Sequence, residues 1–562
     1  MGQQKINHPL FNAVLGFAAS GILLTVIQAP WNLHFLAWLA WVPFMLACKS
    51  KLQTGRLLLS AYFIGLCYWV GNLYWLYIIT IAGYLAFAVM QGLYWPVLAW
   101  LVRFAQRKNW PLALMAPVIF VGAEAWQGIL YTGFCWYYLA HSQYRNLSII
   151  QICDIFGALG LSALIALVNG VIAQWIIDRR SGRTAAMRTF WSAAAAVLLI
   201  MLTLAYGQHR IRQTPAYLSR GPLVGMVQPN VPAWIKEEMD NGQKILDDLI
   251  ADSNECIKAG AVMAAWPETM VLAPLNQEYL DLCVANSDPP RFHRQIIEHC
   301  KDRAYILAGA HGAAIGIQNG RYAITDQYNS AYLYRPDGTA DPQRYDKIHL
   351  VPFGEYIPFR DTIPWLYKAI LWLSPYDYDY NLTPGKEFTT FEIKDNSRVY
   401  RFGVLICYED TDPTVTRKLA VGPDGKKKAD WLVNLSNDGW YVRFKNGRVY
   451  PMAELAQRTA ISVFRCVENR ISIVRSVNTG ISCLIEPTGR IRNGFLAGTL
   501  PAEAMDRQGV RGWFVDRVPI DSRITFFSRH GRWLDVVFGA GWSIILIWSI
   551  YDVCRKHLRK DK

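Results

Sequence analysis

Long apolar stretches separated by short polar breaks constrain this chain more than any other feature. A segment of about 20 apolar residues can cross the hydrocarbon core of a bilayer, and residues 8–207 form a near-continuous series of such segments. The sequence therefore predicts an integral membrane helical bundle with eight transmembrane helices. They are expected at about 9–28, 32–48, 57–79, 83–105, 112–137, 157–177, 189–207 and 533–553.

The basic residues between these stretches predict the orientation of the helices. The N-terminal segment, the breaks after the even-numbered spans and the C-terminal tail carry sixteen Lys and Arg against three Asp, which is nearly all of the net charge of +14. Because cytoplasmic loops are rich in Lys and Arg, both termini are expected in the cytoplasm and the segment after span seven on the far side. The charge thus reports topology, and no basic-aromatic array indicates nucleic acid.

Three regions follow from this distribution: a seven-helix N-terminal membrane domain at 1–209, a globular domain at 210–530, and a C-terminal transmembrane helix with a basic tail at 531–562. In the globular region β-type runs alternate with helix-length stretches, which favours a layered α/β sandwich. The β-type runs are 223–228, 262–266, 305–310, 330–334, 400–407, 431–435, 471–476 and 482–486. Helices are expected at about 239–257, 292–302 and 451–467.

A loop-like stretch at 365–383 is rich in Trp, Tyr and Leu. An exposed apolar-aromatic segment beside a membrane can lie at the bilayer interface as an arm. The alternative, that the stretch packs on the core of the globular domain, agrees with the sequence equally well.

The candidate catalytic site begins with Cys407, which ends an apolar β-type run and precedes two carboxylates. Acyl transfer needs a nucleophile, a base and positive charge or N–H donors for the oxyanion. Glu268 is a candidate base, and Lys347 is a candidate cation that would also lower the pKa of the thiol. Each residue alone is more commonly structural, because a lone Cys at a strand end usually packs in a core and a lone Glu or Lys is usually solvated.

The remaining cysteines indicate no metal site. Eleven cysteines are present without CxxC or Cys/His spacing, so neither a metal nor another cofactor is predicted. If the far side of the membrane is oxidising, two of Cys256, Cys283 and Cys300 could form one disulfide, with the pairing left open.

Several motifs resemble those of the apolipoprotein N-acyltransferases, a family of the nitrilase superfamily. The similarity covers nearly the whole chain, and it implies a nitrilase-like αββα sandwich for the globular domain. The motifs are Trp266-Pro267-Glu268, Lys347-Ile348-His349-Leu350-Val351-Pro352-Phe353-Gly354-Glu355-Tyr356, Cys407-Tyr408-Glu409, Gln228-Pro229-Asn230, Tyr328-Asn329-Ser330, Asn434-Leu435-Ser436-Asn437-Asp438-Gly439-Trp440 and Arg475-Ser476-Val477-Asn478-Thr479-Gly480.

The resemblance implies roles for individual residues. Glu355 would be a second essential acid that orients the lysine or the thiol, and Tyr408 and Glu409 would shape the pocket, with the Tyr408 N–H helping to hold the oxyanion. Packing for Tyr408 and capping of the next turn for Glu409 are the alternatives. Asn437, Asp438 and Asn478 are expected to be turn formers. The catalytic base, oxyanion stabiliser and nucleophile would be Glu268, Lys347 and Cys407, and substrate binding is implied for Glu124, Trp136, Trp234 and Trp440.

The chain departs from the family pattern in its membrane part and in one loop. Gln127 stands where the family has an arginine that pairs with the membrane glutamate, so Glu124 is expected to be hydrogen-bonded or in contact with water or lipid headgroups. Cys135 replaces a proline before Trp136. Trp234 is the nearest counterpart of a loop tryptophan of the family and lies earlier in the sequence.

The resemblance implies a phospholipid-dependent N-acyltransferase that acts by a ping-pong reaction. The cysteine would take an acyl chain from a membrane phospholipid as a thioester and pass it to the α-amino group of the diacylglyceryl-cysteine of a lipoprotein. A monomer in the bacterial inner membrane is implied, with a periplasmic catalytic domain. Two alternatives remain: a membrane-anchored amidase or nitrilase with a soluble substrate, which leaves seven spans without a role, and a non-catalytic scaffold, against which the three catalytic residue types argue.

Overall fold

A computed structural model describes residues 9–182, 187–232, 235–236, 241–318, 320–357, 360, 362–372, 381–445 and 448–559. The chain forms two compact units, one from Met1–Arg212 together with Arg532–Lys562 and one from Gln213–Gly531. We call them the helical unit and, because the predicted active site lies in it, the enzyme unit. Trp234, predicted to bind substrate, lies outside the described residues.

Apolar helices of unequal length build the helical unit. Among the described residues, five segments are long and apolar enough to cross a membrane, and they coincide with predicted spans one, four, six, seven and eight. The predicted total of eight spans is not confirmed by helix length. The five segments are Pro9–Val26, Ile81–Arg107, Cys153–Arg180, Met187–Ala216 and Trp533–Leu558, and two shorter apolar ones are His34–Cys48 and Leu112–Gln127.

The α-helices of this unit are numbered along the chain. They are α1 (Pro9–Val26), α2 (Val42–Cys48), α3 (Thr54–Asn72), α4 (Ile81–Gly92), α5 (Tyr94–Arg107), α6 (Leu112–Ala116), α7 (Gly122–Gln127), α8 (Leu147–Ile150), α9 (Cys153–Arg180), α10 (Met187–Gln213) and, after the enzyme unit, α18 (Trp533–Leu558).

The predicted fifth span at 112–137 is too long, because its helix is interrupted and then ends early. Pro117, which lacks an N–H, begins a π-helical turn at Pro117–Val121. Beyond Gln127 the backbone has positive φ at residues 131–133, a conformation outside the right-handed helical region. Apolar composition continues through this break, so composition alone did not reveal it.

Buried polar side chains join the helices of this unit. Asn169 in α9 donates to the carbonyl of Ala37 at 2.9 Å and accepts from the N–H of Trp41 at 2.8 Å. Trp126 in α7 donates through Nε1 to Ser543 Oγ in α18 at 3.1 Å. Such bonds satisfy polar groups that lipid could not, so the last helix belongs with the helices of the first 212 residues.

The enzyme unit is built from short strands and helices in alternation. Its strands are β1 (Leu218–Gln228), β2 (Met263–Ala265), β3 (Val271–Pro274), β4 (Tyr305–Gln318), β5 (Arg321–Tyr334), β6 (Ala340–Asp346), β7 (Thr390–Asp395), β8 (Arg398–Ile406), β9 (Trp431–Ser436), β10 (Val442–Lys445), β11 (Arg448–Pro451), β12 (Ser472–Val477), β13 (Leu484–Ile485), β14 (Ala497–Gly498) and β15 (Gly512–Asp521). Its helices are α11 (Gly242–Lys258), α12 (Gln277–Leu280), α13 (Asp288–Cys300), α14 (Pro364–Trp372), α15 (Pro413–Ala420), α16 (Ala453–Asn469) and α17 (Phe526–His530).

Two sheets face each other in this unit. The larger has the order β14-β15-β1-β2-β4-β5-β6 with β3 beside β4, and the smaller has the order β13-β12-β9-β8-β7. Ser476 Oγ in β12 donates to the carbonyls of Val227 and Ala265 in the opposite sheet. Helices α11 and α13 pack on the larger sheet, and α15 and α16 pack on the smaller one. The predicted layered sandwich is therefore confirmed, and each of the eight predicted β-type runs overlaps a strand.

Two further expectations concern cysteines and the aromatic stretch. All eleven cysteines are free thiols, so the disulfide considered for Cys256, Cys283 and Cys300 does not form. The stretch at 365–383 contributes most of α14. The Trp365 side chain on this helix is 72% exposed, and its role at a membrane interface stays a prediction.

Candidate active site

The candidate active site lies where strands of both sheets end. Glu268 follows β2 by three residues, and Lys347, Cys407 and Asn437 come directly after β6, β8 and β9. The N–H of Asn437 donates to Glu268 Oε2 at 2.7 Å. This bond joins the end of a strand in the larger sheet to the end of a strand in the smaller one, across 169 positions of sequence.

Cys407 occupies a sharp turn between β8 and a short 3₁₀ helix at Cys407–Thr411. Its φ is +53°, in the left-handed region that costs a non-glycine residue roughly 1–2 kcal/mol. Such strained residues persist where the surrounding structure over-determines them, and they are frequent at active sites. The thiol is half-buried at this turn.

A compact polar group, which we call the lysine cluster, consists of Lys347, Glu268, Glu355 and Asn329. Lys347 Nζ lies 2.8 Å from Glu355 Oε1 and 3.5 Å from Glu268 Oε1. Asn329 Nδ2 donates to the same two oxygens, at 2.7 Å for Glu268 and 3.1 Å for Glu355. One ammonium and one amide therefore hold together two carboxylates that would otherwise repel each other.

The backbone fixes the other side of each carboxylate in this cluster. The Val351 N–H donates to Glu355 Oε2 at 2.8 Å, as the Asn437 N–H does to Glu268. Gly309 in β4 allows the close crossing of the Glu268 segment, since a Cβ at 309 would lie 2.9 Å from the Glu268 Cα. No larger residue fits there without displacing the backbone that carries the carboxylate.

Glu268 is ionised and Lys347 is charged in this arrangement. Burial alone would raise the pKa of Glu268, but the ammonium groups of Lys347 and Lys236 and two hydrogen bonds outweigh burial, so its pKa is lowered. Burial alone would lower the pKa of Lys347, but the negative charges of Glu355, the thiolate form of Cys407 and Glu268 raise it. The candidate base and the candidate cation therefore have the charge states that acyl transfer needs.

Opposing effects of burial and neighbouring charges set the pKa of the Cys407 thiol. Burial and the negative charge of Glu268 raise the pKa of Cys407 to about 12, although the charges of Lys347 and Arg458 lower it. Lys347 lowers this pKa as predicted, but desolvation exceeds the attraction of the ammonium, so the net shift is upward. The resting site holds a thiol beside a carboxylate, and the proton must move as the sulfur attacks.

Glu409 connects the cysteine turn to the lysine segment. It is fully buried, and burial raises its pKa to about 7 although backbone hydrogen bonds oppose that shift. Its carboxylate accepts from the N–H groups of Ile406 at 2.8 Å, Ile348 at 2.7 Å and His349 at 3.1 Å, and from the Tyr345 hydroxyl at 2.9 Å. Glu409 therefore caps the turn after β8, as the alternative held, and also ties that turn to residues next to Lys347.

A second group of buried charges, which we call the arginine cluster, comprises Asp410, Asp438, Arg458 and Arg475. Arg458 donates through Nε to Asp410 Oδ1 at 3.0 Å and through Nη1 to Asp438 Oδ1 at 2.6 Å. Arg475 donates to the other oxygen of Asp410. None of the four is more than 1% exposed. Asp438 was expected only as a turn former, and its ion pair with Arg458 was missed because the partner lies 20 residues away on α16.

Sequence reasoning assigned no role to two other residues near the cluster. Asn329 appeared only within a family motif, which was the signal that could have identified it. Lys236 is half-buried, donates to Thr269 Oγ1 and lies 3.5 Å from the carbonyl oxygen of Glu268. Burial lowers the pKa of Lys236 to about 8, and the charges of Glu268 and Cys407 offset this only in part.

Two further predicted site residues lie in the enzyme unit. Tyr408 is half-buried, and its ring meets the His349 ring edge-on at a centroid distance of 5.3 Å. Trp440 is half-buried in the 3₁₀ helix Asp438–Tyr441.

Two others, Glu124 and Trp136, lie in the helical unit. The Leu139 N–H donates to Glu124 Oε1 at 2.8 Å, so the expected hydrogen bonding of this acid is confirmed. Trp136 is buried and stacks on Phe134 at 5.7 Å. Gln127 donates to the Trp136 carbonyl at 2.7 Å.

Two family models match the chain in succession. The apolipoprotein N-acyltransferase N-terminal domain matches residues 20–171, and the carbon-nitrogen hydrolase domain matches residues 223–511. The apolipoprotein N-acyltransferase of Geobacter metallireducens is 30% identical over 511 residues, which cover 88% of this chain and 89% of that relative. This chain belongs to the apolipoprotein N-acyltransferase family.

Other members of the family align over a similar length. The apolipoprotein N-acyltransferase of Chlorobaculum tepidum is 26% identical over 544 residues, which cover 93% of each chain, and that of Nitrosomonas europaea is 24% identical over 497 residues. The resemblance inferred from the motifs is therefore confirmed. The enzyme unit is a nitrilase-like domain, and the helical unit carries the apolar helices of a membrane-associated apolipoprotein N-acyltransferase.

Proposed function

We propose that this protein transfers an acyl chain from a membrane phospholipid, through a thioester on Cys407, to the α-amino group of the diacylglyceryl-cysteine of lipoproteins. This reaction is the last step of lipoprotein maturation. The observation that carries the proposal is the lysine cluster beside the cysteine turn in a chain of this family. A buried carboxylate, an ammonium and a thiol supply the base, the oxyanion stabiliser and the nucleophile of acyl transfer.

The first half-reaction starts from the thiol and the ionised Glu268. Glu268 accepts the Sγ proton while Sγ of Cys407 bonds to the ester carbonyl carbon, because a free thiolate is disfavoured at a pKa of about 12. The Lys347 ammonium stabilises the oxyanion. The ester C–O bond then breaks, and the leaving lysophospholipid oxygen takes the proton from Glu268.

The second half-reaction uses the same three groups, with the Cys407 sulfur now as the leaving group. The α-amino nitrogen of the lipoprotein attacks the thioester carbonyl carbon and gives a proton to Glu268, while Lys347 again stabilises the oxyanion. The C–S bond breaks and the departing sulfur of Cys407 recovers the proton. The thioester has to be kept from water between the two steps.

The neighbouring residues position these three. Glu355 holds Lys347 at 2.8 Å, and within the described part of the chain the other acceptor of this ammonium is Glu268 at 3.5 Å, which leaves its third N–H for an oxyanion. Glu409 keeps the cysteine turn against the lysine segment. We assign a second oxyanion donor to the N–H of Tyr408. Substrate contacts are proposed for Glu124, Trp136, Trp234 and Trp440.

The membrane arrangement belongs to the same proposal. Domain boundaries at 1–209, 210–530 and 531–562, eight spans, cytoplasmic termini and a periplasmic catalytic domain in a bacterial inner membrane agree with the distribution of Lys and Arg. The bilayer supplies the phospholipid donor and presents the lipoprotein acceptor, and a monomer carries every proposed catalytic residue.

Detection of the acyl-enzyme tests this function. The full-length protein in micelles with a phospholipid is expected to gain one acyl mass on the peptide that contains Cys407, and to lose it when an amine acceptor is added. Cys554→Ser, at an exposed thiol, is the matched control and should acylate normally. Transfer of acyl chains by a Cys407→Ser protein would contradict the proposal.

The carbon-nitrogen hydrolase match over residues 223–511 keeps an amidase as the second candidate. Such an enzyme would hydrolyse soluble amides at an undiminished rate without lipid. If amide hydrolysis proceeds and no phospholipid acyl chain reaches Cys407, the amidase replaces the acyltransferase. Normal lipoprotein acylation in cells with only Cys407→Ala would favour a non-catalytic scaffold instead.

A further inference from the structure

Two neighbouring cavities open at one end of the helical unit, outside the proposed catalytic machinery. Their volumes are about 250 and 210 Å³, and Arg103 and Arg107 at the end of α5 line both. The larger cavity is also lined by Thr54 at the start of α3 and by Lys556 near the end of α18. Three helix ends that are distant in sequence therefore meet around it.

The walls of these cavities carry far more positive than negative charge. The carboxylate of Asp552 is their one acidic group among the described residues. It is shared between Lys108 Nζ at 2.7 Å and Lys556 Nζ at 2.8 Å. The six Lys and Arg that line the two cavities are Lys49, Lys51, Arg103, Arg107, Lys108 and Lys556.

The two arginines have different surroundings. Arg103 is buried and donates to the carbonyls of Cys48, Ser50 and Leu52, which makes it part of the fold. Arg107 is exposed and donates to Thr54 Oγ1 at 3.1 Å. No carboxylate among the described residues pairs with Arg107, so most of its five donors can serve an anion.

The same cavity has an apolar wall. Trp100, Phe104 and Val553 line it together with the cations. It lies at the ends of two helical segments long enough to cross a membrane, Ile81–Arg107 and Trp533–Leu558. A charged rim and an apolar wall at the end of a membrane span match the boundary between lipid headgroups and acyl chains.

We propose that this basic pocket binds the phosphate of an anionic phospholipid headgroup and thereby joins the ends of α3, α5 and α18. Arg and Lys side chains bind phosphate oxygens through charge-assisted hydrogen bonds, and basic pockets between transmembrane helices bind anionic headgroups. The positive-inside rule accounts for basic residues at this end of the helices, but not for their convergence on a cavity around a shared carboxylate.

The size of the cavity sets what it holds. Pockets for drug-sized ligands enclose roughly 300–1,000 Å³, so a volume of about 250 Å³ suits a headgroup and not a whole lipid. Free phosphate shares the charge chemistry of the headgroup. The apolar wall of Trp100, Phe104 and Val553 favours the lipid, whose acyl chains remain in the bilayer.

Binding of phosphatidylglycerol to the full-length protein tests the pocket. The measurements are lipid retention by native mass spectrometry and hydrogen exchange at residues 100–108 and 549–557 in phosphatidylcholine nanodiscs with and without phosphatidylglycerol. Phosphatidylglycerol is expected to slow exchange in both segments. The double variant Arg107→Gln and Lys556→Gln should reduce retention about 25-fold, since each cation near an anionic surface contributes about a factor of five.

Matched variants distinguish lipid binding at this pocket from the effect of overall positive charge and from loss of folding. Arg555→Gln with Arg559→Gln removes the same charge from exposed positions on the same helix end and should leave retention nearly unchanged. Arg107→Lys with Lys556→Arg keeps the charge and should retain the lipid. Equal losses in the pocket and control variants, equal retention of phosphatidylcholine, or equal protection by inorganic phosphate would each overturn the proposal.

Discussion

The lysine cluster and the arginine cluster are both buried groups of charged side chains beside Cys407, but they differ in charge balance and in how the cation is held. The lysine cluster sets two carboxylates, Glu268 and Glu355, around one ammonium. The arginine cluster sets two aspartates against two guanidinium groups, and Arg458 bridges both aspartates with separate nitrogens. In the first, two carboxylates contact one ammonium; in the second, two aspartates meet two guanidinium groups, and Glu454, whose pKa burial raises, lies 3.6 Å from Arg458 Nη1.

This difference separates a group suited to chemistry from one suited to support. A planar guanidinium that bridges two carboxylates has a fixed geometry and stays charged. An ammonium on a flexible stem can donate to an oxyanion that appears only during reaction. Lys347 and Arg458 both lower the pKa of the Cys407 thiol, so the arginine cluster also influences the electrostatics of the proposed nucleophile. Five substitutions test this division, from the largest expected effect to the smallest.

Glu268→Gln should remove the chemistry of the lysine cluster and leave the fold. The carboxamide cannot accept the thiol proton, and general-base catalysis contributes about 10²–10⁴-fold. We therefore expect the rate of acyl-thioester formation, measured by intact mass after single turnover, to fall by about that factor. Glu278→Gln at an exposed position should react at the normal rate. An unchanged rate in Glu268→Gln would mean that another residue is the base.

Arg458→Met should mainly unfold the protein. It leaves Asp410 and Asp438 with Arg475 as their one remaining guanidinium in the cluster, and breaking a buried ion pair costs about 3–5 kcal/mol. Lys347→Met should abolish thioester formation with a smaller loss of stability, because one of its two carboxylate partners can take up a proton. Thermal unfolding followed by tryptophan fluorescence compares the two. If Arg458→Met remains as stable as the wild type, the arginine cluster does not have the supporting role assigned to it.

Asn329→Ala should change the pH dependence of acylation. The pKa of Glu268 is lowered, so its carboxylate is ionised at neutral pH and contributes to stability there. Both the ionised carboxylate and that contribution are lost as the pH falls through the pKa of Glu268. A hydrogen bond to a charged group is worth about 1.5–3 kcal/mol, which corresponds to about one to two pH units. The acidic limb of the rate profile should therefore move upward by about one unit or more.

The control for this pH profile is Asn276→Ala. Asn276 is also buried in the enzyme unit, but its side chain donates to the Ala313 carbonyl. The variant should lose stability without moving the acidic limb. A limb that shifts equally in both variants would mean that Asn329 acts through folding and not through the carboxylates.

Lys236→Met should have the smallest effect. The pKa of Lys236 is about 8, so the wild type loses this positive charge beside Glu268 as the pH rises through 8. We expect a modest inflection there, about threefold in rate, on the scale of under about 1 kcal/mol for a partly exposed charge. The inflection should be absent in Lys236→Met and present in Lys244→Met, an exposed lysine. An inflection retained by Lys236→Met belongs to another group.

Much of the fold could be predicted because it depends on local patterns. The alternation of β-type runs with helical stretches indicated the layered sandwich, and apolar segments indicated the five helical segments that are long and apolar enough to cross a membrane. The predicted fifth span at 112–137 runs past the end of its helix, because a π-turn at Pro117 and a left-handed backbone after Gln127 interrupt a stretch whose composition stays apolar. Backbone conformation at such breaks depends on packing against other helices, which composition does not encode.

The sequence by itself determined the positions of Glu268, Lys347 and Cys407, since motif and strand-end patterns mark them within a few residues. Only the tertiary structure decided that Asn329 links two carboxylates and that Arg458 joins residues 410 and 438. It also decided the sign of the Cys407 pKa shift. That sign is a balance of desolvation against charges that converge through space from several strands, and no single stretch of sequence contains that balance.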